Sequence, residues 1–167
     1  MSRAFVKEDS GDGIEDLPDL PISPHPNYVT PTGHAALRTR LHDARTEAAR
    51  LGPRKEEIDA RQRLAILRRD IRYLERRLAS AIPVDPAAQP SGRVAFGASV
   101  TVIDDDDREQ TFRIVGEDEA DPERGRIAPS SPLARALMGA SEGDSVTWPK
   151  PAGAVELEIT AIRYFPQ

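Results

Sequence analysis

The 167 residues include no cysteine, few aromatic side chains (5%) and only three histidines. Without cysteine there are no disulfides and no thiolate ligands for a metal, and a reducing compartment is compatible with the chain. The histidines, His25, His34 and His42, lie in the N-terminal quarter. His34 and His42 are eight positions apart on one helical stretch, whereas a shared metal needs a spacing of about three or four. No metal site is expected. Glycines late in the chain, Gly139, Gly143 and Gly153, fall singly and build no phosphate loop. Ser130 and Ser131 have neither a nearby histidine nor a strand-turn-helix elbow, so capping a helix outranks nucleophilic catalysis. No apolar run approaches the roughly 18 residues of a membrane span, and acids stand where a signal peptide needs an apolar core. These absences predict a soluble cytoplasmic protein with no membrane partner, no cofactor and no catalytic residue of its own.

What is present is charge, unevenly placed. The net charge is −5, but positions 38–77 hold 13 Arg and Lys against 7 Asp and Glu, leaving 10 against 21 elsewhere. A basic segment of this kind suits nucleic acid or an acidic protein surface, while the acidic remainder argues against wrapping a phosphate backbone along the whole chain. With 38% apolar and 31% charged residues, one elongated and one compact unit are expected rather than a single large core.

Residues 1–29 contain Pro18, Pro21, Pro24 and Pro26 and six carboxylates between Glu8 and Asp19. That composition predicts a flexible arm, in which Phe5, Val6, Leu20, Ile22 and Tyr28 are the groups able to pack on something. Thr30-Pro31 then reads as a helix cap followed by proline at the first helical position. Apolar residues recur at heptad spacing in Leu37, Leu41, Ala44, Ala48 and Leu51, and again in Ala60, Leu64, Leu67, Ile71, Leu74 and Leu78. Between the two seams, Gly52-Pro53 stops the first helix, with glycine expected in the left-handed cap conformation. Residues 30–82 are therefore an antiparallel helical hairpin. Its outward faces would carry Arg61, Arg68, Arg69, Arg72, Arg76 and Arg77.

Pro83, Pro86 and Pro90 mark a linker over 83–92, after which heptads give way to alternation. Val94 and Phe96, then Val100 and Val102, line one face, and Thr111 to Val115 return beside them. Asp104 to Asp107 form the solvated tip of that hairpin, since no glycine-containing calcium loop surrounds them. Val155, Leu157 and Ile159 alternate until the phase slips to Ile162 and Tyr164, predicting a bulge near Thr160-Ala161. Ser131, Pro132 and Gly139 bound a short helix in SSPLARALMG. The class is α+β, with a mainly antiparallel sheet and one short helix over 93–167.

Four phrases in this order, GRVAFGASVTV, FRIVGEDEAD, SSPLARALMG and EGDSV, resemble the Gre family of bacterial transcript cleavage and elongation factors. The resemblance covers roughly the last 75 residues. It implies an FKBP-like fold for the C-terminal domain, which would bind RNA polymerase at the rim of its secondary channel while the hairpin enters the channel. The family's polymerase-docking loop falls on Ser130, Ser131, Pro132 and Arg135. Family members that stimulate cleavage carry tip acids that help polymerase hold a magnesium ion. The protein would then be no enzyme itself, would act as a monomer, would contact nascent RNA and DNA only indirectly, and would leave any magnesium mainly to the polymerase.

The tip departs from the family pattern. Its G-D-x-x-E-N-x-x-Y motif has no counterpart in LGPRKEEIDARQR, and both arms are shortened by several turns. Glu56, Glu57 and Asp59 are the candidate tip acids, although carboxylates there also stabilise the positive end of a helix, and Arg54 and Lys55 would neutralise them. The shortened tip keeps a second reading open, a non-cleaving regulator of the Rnk type that competes with Gre factors. A peptidyl-prolyl isomerase, suggested by fold analogy alone, and a direct nucleic-acid binder through the arginine-rich second helix are further alternatives.

Overall fold

The computed structural model describes residues 16–165, which divide into two units. The first comprises 16–22 and 40–76; the second comprises 23–39 and 77–165. The class is α+β, as the periodicities predict. Phe5 and Val6, expected in the arm, lie outside the described residues.

Helix α1 runs Pro31–Leu51 and helix α2 Ile58–Ala79. Thr30 starts α1 as expected, its hydroxyl accepting the Gly33 amide hydrogen at 2.9 Å. The stop at Leu51 also holds, but by a different device. Gly52 does not take positive φ and instead opens a single 3-10 turn, Gly52–Arg54. Proline 53, which has no amide hydrogen and whose ring opposes a continuing helix, is then sufficient to end α1. In the first unit Leu51, Ala60, Leu64 and Leu67 form a buried cluster flanked by Ala44 and Ala48, the predicted seams. Ion pairs line its edges: Arg63 grips Glu47 with two bonds of 2.7 and 2.8 Å, and Arg45 meets Glu75 at 2.6 Å. Exposed pairs of this kind add little stability individually.

Residues 16–22 belong to this unit as a strap on α2. Asp19 bridges Arg72 at 2.6 Å and Arg76 at 2.8 Å, and Arg72 also donates to the Leu17 carbonyl at 2.7 Å. The hydrogen bond from Arg72 holds the Asp19 carboxyl below its ordinary range. A depressed carboxylate of this kind supports the strap above its ordinary pKa and loses that effect as pH falls through the lowered value.

The second unit begins with Ser23–Val29, where a flexible arm was expected. Strand β1, Tyr28–Val29, pairs in parallel with β2, Ile82–Pro83, which lies at the boundary assigned to a linker. Asn27 donates to the Arg77 carbonyl at 2.8 Å and accepts from the Arg77 guanidinium at 2.6 Å. Arg77 is the main correction to the helix reading. Assigned to a solvated face, it is only 2% exposed, with Asp118 accepting from it at 2.6 Å and Glu117 3.5 Å away. Heptad spacing describes only the face one helix turns to the other. The groups that cover Arg77 come from 41 residues later and 50 earlier.

The main sheet contains β3 (Ser99–Asp104), β4 (Glu109–Ile114), β5 (Arg126–Ile127), β6 (Ser145–Trp148) and β7 (Val155–Arg163). Its order is β5-β4-β3-β7-β6, antiparallel except where β4 meets β5. Val100, Val102, Ile114, Leu157 and Ile159 bury one face against helix α3, Pro132–Leu137. Opposite Thr101 and Val102 lie Ala161 and Ile159, so Thr160 is the extra residue of the predicted bulge. At the β3–β4 tip the Asp104 carboxylate accepts the amide hydrogens of Asp106 and Arg108, both at 3.0 Å, and Arg108 pairs with it. These bonds, the Arg108 amide first, hold the Asp104 carboxyl low and explain the aspartate run as turn chemistry.

Two expectations follow. Replacing Arg77 with alanine strands buried acceptors and should destabilise the second unit by about 3 kcal/mol, the range for breaking a buried pair from one side. A urea unfolding curve that leaves the midpoint unchanged would refute this. Asp19→Asn should speed amide exchange at Leu20 and Ile22, corrected for intrinsic rates, and acidification of the parent chain should do the same.

Candidate functional site

The rim of the second unit is built around α3. Ser131 has extended backbone and its Oγ accepts the Ala134 amide hydrogen at 3.2 Å, while Pro132 fills the first helical position. Gly139 follows at φ +81°, and its amide donates to the Val94 carbonyl at 2.8 Å, tying the helix end to the strand-like run before β3. Leu133, Ala134 and Leu137 are fully buried in the sheet core, which sets the helix rotation and turns Arg135 outward. Among the described residues Arg135 has no ion pair or side-chain hydrogen bond.

Beside α3 lies a cleft of about 210 Å³ lined by His25, Tyr28, Glu117, Pro129, Ser130 and Arg135, among others. The four residues expected for docking therefore separate by role. Ser130 and Arg135 line the cleft, Ser131 is committed to the cap, and Pro132 is exposed at the helix start. His25, Tyr28 and Glu117 were not among the predicted site residues.

The acidic run after Gly116 holds this wall. Glu117 accepts from the Ser23 hydroxyl at 2.9 Å, Asp118 from Arg77, and Glu119 from the Thr30 hydroxyl at 2.6 Å. Thr30 thus caps α1 and anchors it with one hydroxyl; Glu119 also places negative charge at the helix's positive end. Gly116 permits the approach, because a Cβ there would sit 2.7 Å from the Tyr28 carbonyl oxygen. The legible signal was present in Asn27 and Thr30, small polar residues bracketing Tyr28-Val29, and in the acidic run Glu117 to Glu119.

The tip acids belong to the other unit. Glu57 is held by Arg54 through two bonds of 2.9 and 2.6 Å, and Glu56 lies 3.7 Å from Arg61. The hydrogen bond from Arg54 keeps the Glu57 carboxyl low and raises the guanidinium in turn. Asp59 is exposed in the first turn of α2, next to Ile58, which is 72% exposed. Among the described residues no group of three or more His, Asp or Glu is arranged to hold a metal.

The family model described as "Transcription elongation factor, GreA/GreB, C-term" matches residues 89–164. Transcription elongation factor GreA of Vibrio parahaemolyticus is 43% identical over 133 residues, covering 77% of this chain and 85% of that protein. The chain belongs to the GreA/GreB family of transcription elongation factors. Transcription elongation factor GreB of Neisseria meningitidis serogroup B is 40% identical over 153 residues, covering 83% of this chain and 94% of the relative. A solved structure of a GreA/GreB elongation factor from Nitrosomonas europaea is 23% identical, covers 83% of this chain and 99% of that one, and superposes with a TM-score of 0.42. The span matched by the Gre C-terminal model includes Glu117, Ser130 and Arg135 but neither His25 nor Tyr28.

Removing the cap should be measurable by itself. Ser131→Ala is expected to cost about 1 kcal/mol, whereas Ser130→Ala should stay within about 0.5 kcal/mol; equal shifts in denaturant midpoint would contradict the assignment of the cap to Ser131.

Proposed function

We propose that this Gre-family chain binds bacterial RNA polymerase through the α3 rim and modulates the polymerase's own activity, without catalysing a reaction itself. The observation that carries this is Arg135. It is an exposed guanidinium on a short helix that is capped, ended and buried on its other face, so its backbone anchor is held in place and its side chain is left outward. Arginine in such a setting suits a carboxylate on a partner, because its planar fork donates two parallel bonds. Contact with nascent RNA and DNA would be indirect, through the elongation complex. The protein would act as a monomer in the cytoplasm, where the polymerase works. No described helix is long and apolar enough to cross a membrane.

Tip chemistry bears on what binding does. Helping to hold a second magnesium ion in phosphodiester cleavage requires carboxylates free to complete the ion's shell. Both oxygens of Glu57 are engaged by Arg54 and Glu56 lies 3.7 Å from Arg61, exposed pairs that an incoming ion would have to displace, while Asp59 is exposed in the first turn of α2. A second reading, in which the chain occupies the polymerase and competes with cleavage-stimulating relatives, holds if those pairs persist there.

Stalled, backtracked polymerase complexes separate the two. The wild-type chain and a Glu56→Ala, Glu57→Ala, Asp59→Ala variant should bind core polymerase equally, since the tip is distinct from α3. RNA shortening that the triple variant abolishes would assign cleavage to the tip acids. Intact RNA, together with inhibition of a cleavage-active Gre factor, would establish the competitor. Failure of the wild-type chain to bind polymerase would overturn the proposal.

A further inference from the structure

We infer that Ser23–Val29 forms a second wall of the polymerase-docking site, with Tyr28 and His25 as partner-contacting residues, and that the occupant is a polymerase element presenting an apolar side chain beside a carboxylate. This rests on the polymerase reading above and adds to it a determinant that lies outside the span matched by the family's C-terminal model.

The wall is built rather than incidental. Its flanking residues are locked: Asn27 is buried in the Arg77 network, Val29 is buried beside β2, and Ser23 is bonded to Glu117. The β1–β2 pairing and the close backbone approach at Gly116 fix its height above the acidic loop. Between these anchors Tyr28 remains 39% exposed. One side of its ring leans on Phe96, with centroids 5.8 Å apart and planes at 44°. An aromatic ring immobilised on one side and open on the other contributes contact area with little further loss of side-chain freedom, the usual property of a binding hot spot.

Charge specifies the occupant. Glu117 is already used, one oxygen by Ser23 and the other facing Arg77. Arg135, on the same cleft, has no ion partner among the described residues. The cleft therefore offers Arg135 to an anion, and Tyr28, Pro26 and Pro129 to an apolar group beside it. A protein side-chain pair uses both; a phosphate backbone would leave the apolar wall unused.

The test measures binding of the full chain to core RNA polymerase, with urea unfolding of each variant as a control. Tyr28→Ala should weaken binding about tenfold or more, the scale of a hot-spot truncation, while Tyr28→Phe should retain it. His25→Glu, at an exposed position, should weaken binding by opposing the partner's carboxylate without shifting the unfolding midpoint. Arg135→Ala reports on the docking site itself. If Arg135→Ala weakens binding but Tyr28→Ala and His25→Glu bind like wild type, the second wall is refuted and the polymerase reading stands. If the wild-type chain does not bind, the polymerase reading fails, and this inference with it.

Discussion

A buried guanidinium is the constraint on which the second unit depends. Removing a positive charge from water is costly unless it is paired and its hydrogen bonds are satisfied. Arg77, in the last turn of α2, meets that condition only because two distant stretches converge on it: Asn27 from before α1 and Glu117-Asp118 from the loop after β4. Once those stretches are held, β1 can pair with β2, Glu119 can bind the α1 cap, and Gly116 must remain without a side chain to admit the Tyr28 carbonyl. The acidic phrase GEDEAD is thus a socket as well as a loop.

The same socket supports the candidate site. Docking on a partner depends on presenting a few groups at fixed positions, and both sides of the cleft are fixed by different means. On one side a serine cap and three buried apolar residues set the rotation of α3 and leave Arg135 outside. On the other, buried polar contacts hold the segment containing His25 and Tyr28. The hairpin tip follows another logic, in which Arg54 and Arg61 pair with Glu57 and Glu56. Similar carboxylates consequently do different work: those of the acidic loop anchor structure, and those of the tip pair locally.

Much of the architecture could be read from local patterns. Thr30-Pro31, the two heptad seams, the Ser131 cap, the turn at Gly139 and the slip at Thr160 each depend on residues within a few positions of one another, and each appears in the structure. Arg135 was legible through the resemblance of SSPLARALMG to the family's docking loop, and the structure leaves it outside while Leu133, Ala134 and Leu137 are buried. The cleft was only half legible. Its Ser130 and Arg135 came from one short phrase, whereas Tyr28 and His25 lie about a hundred residues away in a stretch whose prolines and acids suggested an arm.

By itself the sequence determined the two hairpin helices, the Thr30 and Ser131 caps, the alternation of the main sheet and the family to which the chain is similar, since these follow from backbone dihedral preferences and from side chains recurring on one face. Tertiary structure decided what covers Arg77, why Gly116 is glycine, and which residues complete the cleft. Those outcomes depend on which distant groups arrive at a given surface, and a buried charge or an absent Cβ has meaning only once its neighbours are in place.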